Sequence, residues 1–215
     1  MFVRDRMSTP AVTITPTATF PDALQLMRER QFRRLPVVDK KGRLVGIVSE
    51  RDLMYASPSS ATSLSIWEVH YLLARLHVNE IMTTDVITTT PETPIEDAAR
   101  LMVTHKIGGL PVVDECREVV GVITETDIFQ TFVEMFANSS PGVRLTLEIP
   151  EEKGVLLELS KTIYDLGGTI MSVGSFDARR PGERGLVVKV RGVDRDQLVR
   201  AFDTHGDHVV DAREV

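Results

Sequence analysis

One block of sequence occurs twice in the first two-thirds of this 215-residue chain. Its landmarks recur at one constant separation of 75 positions, the difference between 36 and 111: Met7 as Met82, Pro16 as Pro91, Pro36 as Pro111, Gly46 as Gly121 and Asp52 as Asp127. A constant separation over this length indicates two copies of one structural unit. The duplication therefore predicts a single module in which a pseudo-twofold axis relates two similar halves.

Each copy predicts the element order β-α-β-β-α. Short apolar runs bounded by turn residues indicate the strands, and apolar residues at helical spacing indicate the helices. The expected elements of the first copy are strands at residues 11–15, 35–38 and 44–48, and helices at residues 21–30 and from Ser49 onward. The second copy repeats this order from Val86 to Phe132.

A further helix is expected between the two copies. Residues 56–62 are rich in Ser and Pro and predict a loop, and Ser65 and Glu68 then form the Ser-x-x-Glu pattern that caps a helix N-terminus. We expect this helix to run to about Leu76. Either its Trp67, Tyr71, Leu72 and Leu76 contact a neighbouring subunit or, as we favour, the helix packs on its own module.

The last third of the chain predicts a separate domain. The repeat stops before a polar segment, residues 138–142, that contains Pro and Gly and is typical of a domain boundary. The expected elements beyond it are strands at residues 143–149, 169–176, 185–190 and 208–212, and helices at residues 154–166 and 194–204. This order, β-α-β-β-α-β, predicts a four-stranded antiparallel sheet with both helices on one face.

These patterns give an α+β chain with a defined domain order. The assigned segments are a first repeat unit at residues 1–56, a linker with its connecting helix at 57–80, a second repeat unit at 81–137, a short linker at 138–142 and a C-terminal domain at 143–215.

Composition and charge exclude several classes of function. The net charge is −6 and the basic residues are scattered, so a phosphate backbone would meet no basic stripe, and we expect no nucleic-acid partner. The only cysteine, Cys116, cannot form an internal disulfide, and charges near the N-terminus disfavour a secretory signal. No apolar run reaches the roughly 18 residues that span a bilayer. We therefore expect a cytoplasmic protein without a membrane span.

No catalytic or metal site is expected. Cys116 has no histidine near it in sequence, and no nucleophile and base pair is visible. His205 and His208 have aspartates close by, but they fall across a helix end and a strand start, which disfavours a shared metal ion. The dinucleotide-binding and P-loop fingerprints are both absent. We therefore predict a protein that is not an enzyme and has no catalytic cofactor.

Two repeated motifs carry a family resemblance. Each copy contains the block Leu-Pro-Val-Val-Asp, at residues 35–39 and 110–114. Each copy also contains the pattern Gly-x-x-[Ser/Thr]-x-x-Asp. The repeated region thereby resembles a tandem pair of CBS domains, a Bateman module. The tail is similar to an ACT domain, a ferredoxin-like regulatory module, through its element order, Gly154 and the pair Gly167–Gly168. The whole arrangement is similar to the acetoin-utilisation (AcuB) proteins.

The CBS resemblance implies an adenosine-containing ligand, such as AMP, ADP or ATP, in the clefts between the copies. The family's ribose-binding aspartate falls on Asp52 and Asp127, and the hydroxyl three residues earlier falls on Ser49 and Thr124. Basic residues near the first motif add phosphate contacts. The remaining expected nucleotide-binding residues are Arg33, Arg34, Arg51, Pro36 and Pro111, with Val12, Thr13, Ile14, Val86, Ile87 and Thr88 against the adenine ring.

The same motif residues have a second interpretation. Ser49 with Asp52, and Thr124 with Asp127, are also helix-capping pairs that stabilise a fold by about 1 kcal/mol without any ligand. The second copy moreover has Gly108–Gly109 where the first has Arg33–Arg34, and Thr126 where the first has Arg51. We therefore expect the two clefts to differ in their preference for phosphate.

We interpret the chain as a regulatory, energy-sensing protein that binds an adenine nucleotide and relays this to its ACT-like domain or to a regulated enzyme partner. A homodimer is the expected unit. Two alternatives stay open: a dimeric scaffold with empty clefts, and an amino-acid sensor acting through the ACT interface. Amino-acid binding is disfavoured because the expected loop Pro and the Asn after the glycine turn are missing.

Overall fold

The computed structural model describes residues 1–58, 65–136, 140–178, 180–205 and 208–215. The chain forms two compact units, Met1–Phe129 and Gln130–Val215, each with its own apolar core. Parts of two predicted segments, the loop at 56–62 and the boundary at 138–142, lie outside the described residues.

The first unit contains the two copies. A short 3-10 helix, Val3–Asp5, comes first, and the first copy then follows with α1 (Phe20–Arg30), β1 (Arg34–Val38), β2 (Leu44–Ser49) and α2 (Glu50–Ala56). After α3 (Ile66–Arg75) and α4 (Val78–Ile81), the second copy contributes α5 (Ile95–His105), β3 (Gly109–Val113), β4 (Val119–Thr124) and α6 (Glu125–Phe136), which continues into the second unit. In each copy the two strands form an antiparallel hairpin.

The expected first strand of each copy is wrong. Residues 11–15 and the segment from Val86 are not strands, and each makes a single parallel bridge, Ile14 to Val37 and Thr89 to Val112. Ile14 donates to the carbonyl of Pro36 and accepts from Val38, at 3.0 and 2.9 Å. The next ladder bonds would need an N–H from Pro36 on one side and from Pro16 on the other, and proline has none.

Prolines end the bridge of the second copy in the same way. Thr89 donates to the carbonyl of Pro111 at 3.1 Å and accepts from Val113 at 2.9 Å. Pro111 and Pro91 occupy the positions that would have to donate the next two bonds. The repeated prolines thus limit each expected first strand to one residue. The observed element order of each copy is α-β-β-α, preceded by a one-residue bridge.

The segments that lead into the two copies are exchanged between them. Val3, ahead of the first copy, is fully buried in the core of the second, with Ala98 and Leu110. Val78, which lies 75 positions after Val3, is fully buried in the core of the first copy. We call residues 3–8 and 78–83 the leading segments. Because each leading segment completes the opposite core, neither copy has a full core by itself.

Each leading segment also pairs with the second strand of the opposite copy. Ser8 exchanges two backbone hydrogen bonds with Val122 in β4, and Thr83 exchanges two with Ile47 in β2. The methionine just before each bridge lies over a glycine. A Cβ built on Gly121 would be 2.6 Å from the Sδ of Met7, and one built on Gly46 would be 2.5 Å from the Sδ of Met82. The recurring Met and Gly positions are therefore contacts between the copies.

The connecting helix α3 is confirmed, and only part of it packs on its own module as we favoured. The hydroxyl of Ser65 and the carboxylate of Glu68 form the predicted capping box. No residue of α3 is buried, and Trp67 is 85% exposed. Only Leu73, with Leu76 just beyond the helix, packs against the first core. The aromatic face of this helix therefore does not pack on its own module.

The second unit has the predicted β-α-β-β-α-β order. Its elements are β5 (Val143–Pro150), α7 (Val155–Asp165), β6 (Thr169–Asp177), β7 (Glu183–Arg191), α8 (Arg195–His205) and β8 (His208–Glu214). The strands form one antiparallel sheet in the order β6-β7-β5-β8, which is the ferredoxin-like arrangement. Helices α7 and α8 cover one face through Leu159, Ile163, Leu198 and Phe202. The opposite face of the sheet is free of these helices.

Candidate functional site

A cleft of about 510 Å³ lies within the first unit and is lined by both copies. Its walls are the residues Arg33, Arg34, Ile47, Ser49, Glu50, Arg51, Asp52, Thr83, Asp85, Val86, Ile87, Lys106, Ile107, Gly108, Gly109 and Glu125. The first copy contributes the end of β2 and the start of α2, and the second contributes the segment after its leading segment and the start of β3. The volume is within the range of small-molecule sites.

Asp52 holds the N-terminus of α2 and lines the cleft at the same time. Its Oδ2 accepts from the backbone N–H and from the hydroxyl of Ser49, both at 2.7 Å. The Ser49 hydroxyl in turn receives the longer bond, at 3.4 Å, from the N–H of Asp52. Because the cap uses Oδ2, the capping interpretation and the ligand interpretation do not exclude each other. Oδ1 lies outside the cap, and a carboxylate oxygen can accept further hydrogen bonds.

Arg34 is the most unusual charged group of the cleft. Burial lowers the pKa of its guanidinium, and nearby Arg33 lowers it further, whereas the carboxylate of Glu125 partly restores it. The Nη1 of Arg34 is buried and has no hydrogen-bond partner among the described residues. An unpaired buried donor costs about 1–3 kcal/mol, and more when it is charged. Arg34 is therefore a cation that lacks part of its hydrogen bonding.

The glycine pair of the second copy makes room for this arginine. A Cβ built on Gly108 would lie 2.7 Å from the Nη2 of Arg34, and one built on Gly109 would collide with Nη1. Gly108–Gly109 occupies the position in the second copy that Arg33–Arg34 occupies in the first. The side chain of one copy thus fills the space that the other copy leaves empty, and the symmetry of the repeat is broken inside this cleft.

The charges of the cleft are balanced in number. Four basic residues (Arg33, Arg34, Arg51 and Lys106) and four acidic residues (Glu50, Asp52, Asp85 and Glu125) line it. A cleft with balanced charge does not select anions by its overall field. Selection depends instead on local groups: guanidinium groups recognise phosphate, and carboxylates accept hydrogen bonds from hydroxyls.

The structure brings seven of the predicted residues together in this cleft: Arg33, Arg34, Ser49, Arg51, Asp52, Val86 and Ile87. The other predicted residues, all of them in the described part of the chain, do not line it: Val12, Thr13, Ile14, Pro36, Thr88, Pro111, Thr124 and Asp127. Ile14 is 7% exposed and belongs to the first core. Pro36 and Pro111 are buried and end the one-residue bridges described above.

Thr124 and Asp127 repeat the capping geometry of the first copy. The backbone N–H and the hydroxyl of Thr124 both donate to the Oδ2 of Asp127 at 2.7 Å. This matches the distances of the Ser49 cap, although the Thr124 cap does not line the cleft. The two caps are therefore equivalent as helix caps and different in their surroundings.

Sequence reasoning missed Glu125 and Asp85 as lining residues. Glu125 stands directly after the threonine of the second motif, where Glu50 stands in the first copy, and its carboxylate attracts Arg34 across the cleft. The repeat carried the signal, since the position after the motif hydroxyl is acidic in both copies. The capping pattern itself involves only the hydroxyl and the aspartate and makes no prediction for the two residues between them.

Two absences concern only the residues that the structure describes. Within them, no group of three or more His, Cys, Asp and Glu side chains could hold a metal ion. Within the same residues, the helices are too short or too polar to cross a membrane.

Comparison with known proteins identifies what the repeat resembles. The sequence model of the family described as "CBS domain" matches residues 3–59 and 78–134, which are the two copies with their leading segments. The CBS domain-containing protein YhcV of Bacillus subtilis is 30% identical over 144 residues, which cover 67% of this chain and 92% of YhcV. An L-aspartate semialdehyde sulfurtransferase of Methanocaldococcus jannaschii is 32% identical over 130 residues, but these are only 23% of its length.

Solved structures give the same result for the first unit. The CBS domain pair of protein MJ0100, in complex with 5′-methylthioadenosine and S-adenosyl-L-methionine, is 30% identical with a TM-score of 0.53 over 62% of this chain and 97% of that chain. A putative acetoin utilization protein (AcuB) from Vibrio cholerae is 35% identical with a TM-score of 0.53, covering 62% and 91%. The protein CBSX2 in complex with AMP is 30% identical with a TM-score of 0.51, covering 62% and 96%.

Proposed function

Because this chain belongs to the CBS domain family, we propose that it is a non-catalytic regulatory protein that binds an adenosine-containing ligand in the cleft of its first unit. The observation that carries the proposal is the juxtaposition of Asp52 and the incompletely bonded Arg34 in one cleft lined by both copies. Similar CBS pairs are described in complex with AMP and with S-adenosyl-L-methionine.

Each part of the ligand has a matching group in the cleft. A ribose presents two neighbouring hydroxyls, and Oδ1 of Asp52 together with the Ser49 hydroxyl accepts from them. A phosphate bonds to Arg34, whose buried Nη1 then gains the acceptor it lacks, and to the more exposed Arg33 and Arg51. Each charge-assisted hydrogen bond is worth about 1.5–3 kcal/mol.

The apolar part of the cleft receives the adenine ring. Val86 and Ile87 from the second copy and Ile47 from β2 are aliphatic residues of its lining. The backbone after Thr83 is not part of a ladder, so its N–H and C=O groups are available to the ring edge. Adenine recognition by backbone groups and aliphatic side chains agrees with this lining.

We propose AMP, ADP or ATP as the ligand class, because Arg33, Arg34 and Arg51 form an anion-binding end that a neutral nucleoside would leave unused. The protein acts as a cytoplasmic homodimer whose ACT-like second unit, or a regulated enzyme, receives the signal. For such a relay the ligand must bind one arrangement of the protein more tightly than another. The role in acetoin utilisation is supported only by the likeness to the Vibrio cholerae protein.

The repeat supplies a matched control for the test. Asp52→Asn and Asp127→Asn make the same chemical change in equivalent helix caps, but only Asp52 lines the cleft. Calorimetric titration with AMP, ADP, ATP, 5′-methylthioadenosine and S-adenosylmethionine is made on the wild type and on both variants, after equal melting temperatures have been verified.

We expect saturable binding of a nucleotide to the wild type and a loss of about ten- to a hundredfold in affinity for Asp52→Asn, which corresponds to about 1.4–2.8 kcal/mol. Asp127→Asn should bind as the wild type does. An equal loss in both variants, at equal melting temperatures, would mean that the effect is not specific to the cleft that Asp52 lines and would contradict this cleft as the binding site. Absence of binding by every ligand would contradict the proposal and leave both motifs as helix caps.

One observation favours a second candidate, an interaction scaffold. Trp67 is 85% exposed and Tyr71 is 60% exposed on the same helix, α3, which has no buried residue. Exposed aromatic residues on a helix face are typical of protein interfaces. If the scaffold interpretation is right, Trp67→Ser lowers the oligomeric state in analytical ultracentrifugation while every nucleotide fails to bind.

A further inference from the structure

The sheet of the second unit has a cavity on the face that α7 and α8 leave open. The cavity has a volume of about 600 Å³ and lies between the last turns of α6 and the strands β5, β6 and β7. Its principal side chains are Phe132, Phe136, Phe176, Val187, Arg144 and Lys189. All of them belong to the unit Gln130–Val215. This volume lies in the range of small-molecule sites.

Aromatic rings and glycines shape the apolar end of this cavity. The ring of Phe136 lies directly over Gly174, and the ring of Phe176 lies directly over Gly185, so that a Cβ on either glycine would collide with a ring. Phe132 packs against Phe136 with ring centroids 4.9 Å apart. Phe132 and Phe176 nevertheless remain 60% and 43% exposed. Among the described residues, the rings therefore form walls that are only partly covered.

The other end of the cavity carries two cations side by side. Arg144 in β5 and Lys189 in β7 are direct partners in the antiparallel register, so both side chains lie on the open face. Lys189 is only 5% exposed. Like charges directly opposite each other destabilise a sheet, and a buried ammonium is costly to desolvate. Asp211, at 3.7 Å from Arg144, offsets part of this charge.

An unsatisfied hydroxyl lies in the same cross-strand row. Ser172 in β6 is the register partner of Lys189, which places it on the same face of the sheet. Its Oγ is buried and has no hydrogen-bond partner among the described residues. The row formed by Ser172, Lys189 and Arg144 thus contains two cationic donors and one unused hydroxyl. Such a row is suited to one anionic group with several acceptor oxygens.

We propose that this cavity binds a small amphipathic carboxylate, with its carboxylate at the row of Lys189 and Arg144 and its apolar chain between Val187 and the phenylalanine rings. The distance supports a ligand of this shape. Phe176 is four residues from Ser172 along β6, which is about 13 Å in a strand. That length fits a medium-length acyl or arylalkyl chain. This site is separate from the nucleotide cleft and does not depend on it.

The test uses octanoate as the probe and the full-length protein. Isothermal titration is made with octanoate, with 1-octanol, which has the same chain without the charge, and with acetate, which has the charge without the chain. Lys189→Met removes the ammonium and keeps the length of the side chain. Lys161→Met makes the same change at an exposed position of α7 and serves as the matched control.

We expect saturable 1:1 binding of octanoate that is at least tenfold tighter than that of octanol and acetate. Lys189→Met should weaken octanoate at least tenfold, and Lys161→Met should leave it unchanged. Because Lys189 is buried, its replacement can also lower the stability of the fold. Phe132→Ser, a change at an exposed ring, therefore gives a second measurement and should weaken octanoate binding at least fivefold. Equal affinities for octanoate and octanol, failure to saturate, or wild-type affinity in both variants would each overturn the proposal.

Discussion

At the scale of single residues, the cleft of the first unit depends on one arginine and two glycines. Arg34 reaches from the first copy into space that Gly108 and Gly109 keep open in the second. Its burial leaves a charged donor incompletely bonded, which is a cost to the free protein that a bound anion relieves. Buried polar groups without a partner are rare in native proteins, and a bound anion is one explanation for this one.

Gly108→Ala tests this arrangement. The added Cβ meets only the ends of two flexible side chains, those of Arg34 and Glu125, at 2.7 and 2.9 Å, so the fold tolerates it with a change in stability below about 1 kcal/mol. Arg34 is displaced, and the affinity for AMP should fall about tenfold, whereas that for 5′-methylthioadenosine, which lacks phosphate, should change little. Titration calorimetry of both ligands measures the difference.

Arg34→Met is the control for this prediction. If Gly108→Ala acts through the arginine, adding it to Arg34→Met should cost no further AMP affinity, because the interaction is already lost. Additive losses in the double variant would show that the glycine acts in another way.

The sequence predicts the residues of the cleft unevenly. Ser49, Asp52 and the arginines could be found because a motif and a cluster of charge stand close together in the chain. Glu125 and the role of the glycine pair could not, since they depend on which residues of one copy face the other, and spacing along one copy contains no information on that contact. Asp127 shows the converse, because an identical motif lies outside the cleft.

At the scale of elements, the repeat explains positions that look unremarkable in one copy. The prolines end a strand after one bridge, and the methionine and glycine are two sides of one contact between a leading segment and the opposite hairpin. The pattern of apolar side chains predicts a strand at residues 11–15. That pattern contains no information on whether the neighbouring strand has the backbone N–H groups that a ladder requires. The helices and hairpins, which depend on local capping and turn residues, were predicted within a few residues.

Gly121→Ala tests the contact between the copies. The new Cβ would lie 2.6 Å from the Sδ of Met7 and 3.0 Å from the carbonyl oxygen of Ser8, so the leading segment must shift. We expect a loss of about 1–3 kcal/mol in the free energy of unfolding, as for other overpacked sites. Chemical denaturation of the full chain measures it. Met7→Ala should recover part of the loss in the double variant, and strict additivity of the two changes would contradict the contact.

Helix α3 offers a test through protonation. The backbone N–H and the hydroxyl of Ser65 donate to the carboxylate of Glu68, which holds its pKa below the ordinary value. Because the pKa of Glu68 is lowered in the folded state, the cap stabilises the helix fully at pH values above the unfolded pKa. This stabilisation is lost as the pH falls through the folded pKa. NMR titration should show the pKa of Glu68 rising toward its ordinary value in Ser65→Ala. An unchanged pKa would mean that the cap does not form in solution.

At the scale of the whole molecule, two units with separate cores predict separate responses to ligands. A ligand that binds only the folded first unit stabilises that unit by about 2.7 kcal/mol at a concentration one hundred times its Kd. Val48→Ala, in the first core, and Leu145→Ala, in the core of the second unit, identify the two calorimetric transitions by lowering the temperature of one each. AMP should raise the temperature of the transition that Val48→Ala lowers and leave the other transition unchanged. A rise of both transitions by AMP would mean that the units unfold as one.

The exchange of the leading segments has a consequence for the duplication itself. Two separate chains with one copy each could trade their leading segments in the same way, and each would complete the core of its partner. Identical chains, however, would carry the same residue at every equivalent position, so both would have the arginine or both would have the glycine. A fused pair can place Arg34 in one half and Gly109 in the other, which a pair of identical chains cannot do. Covalent linkage of the halves therefore lets the two sides of one cleft carry different residues at equivalent positions.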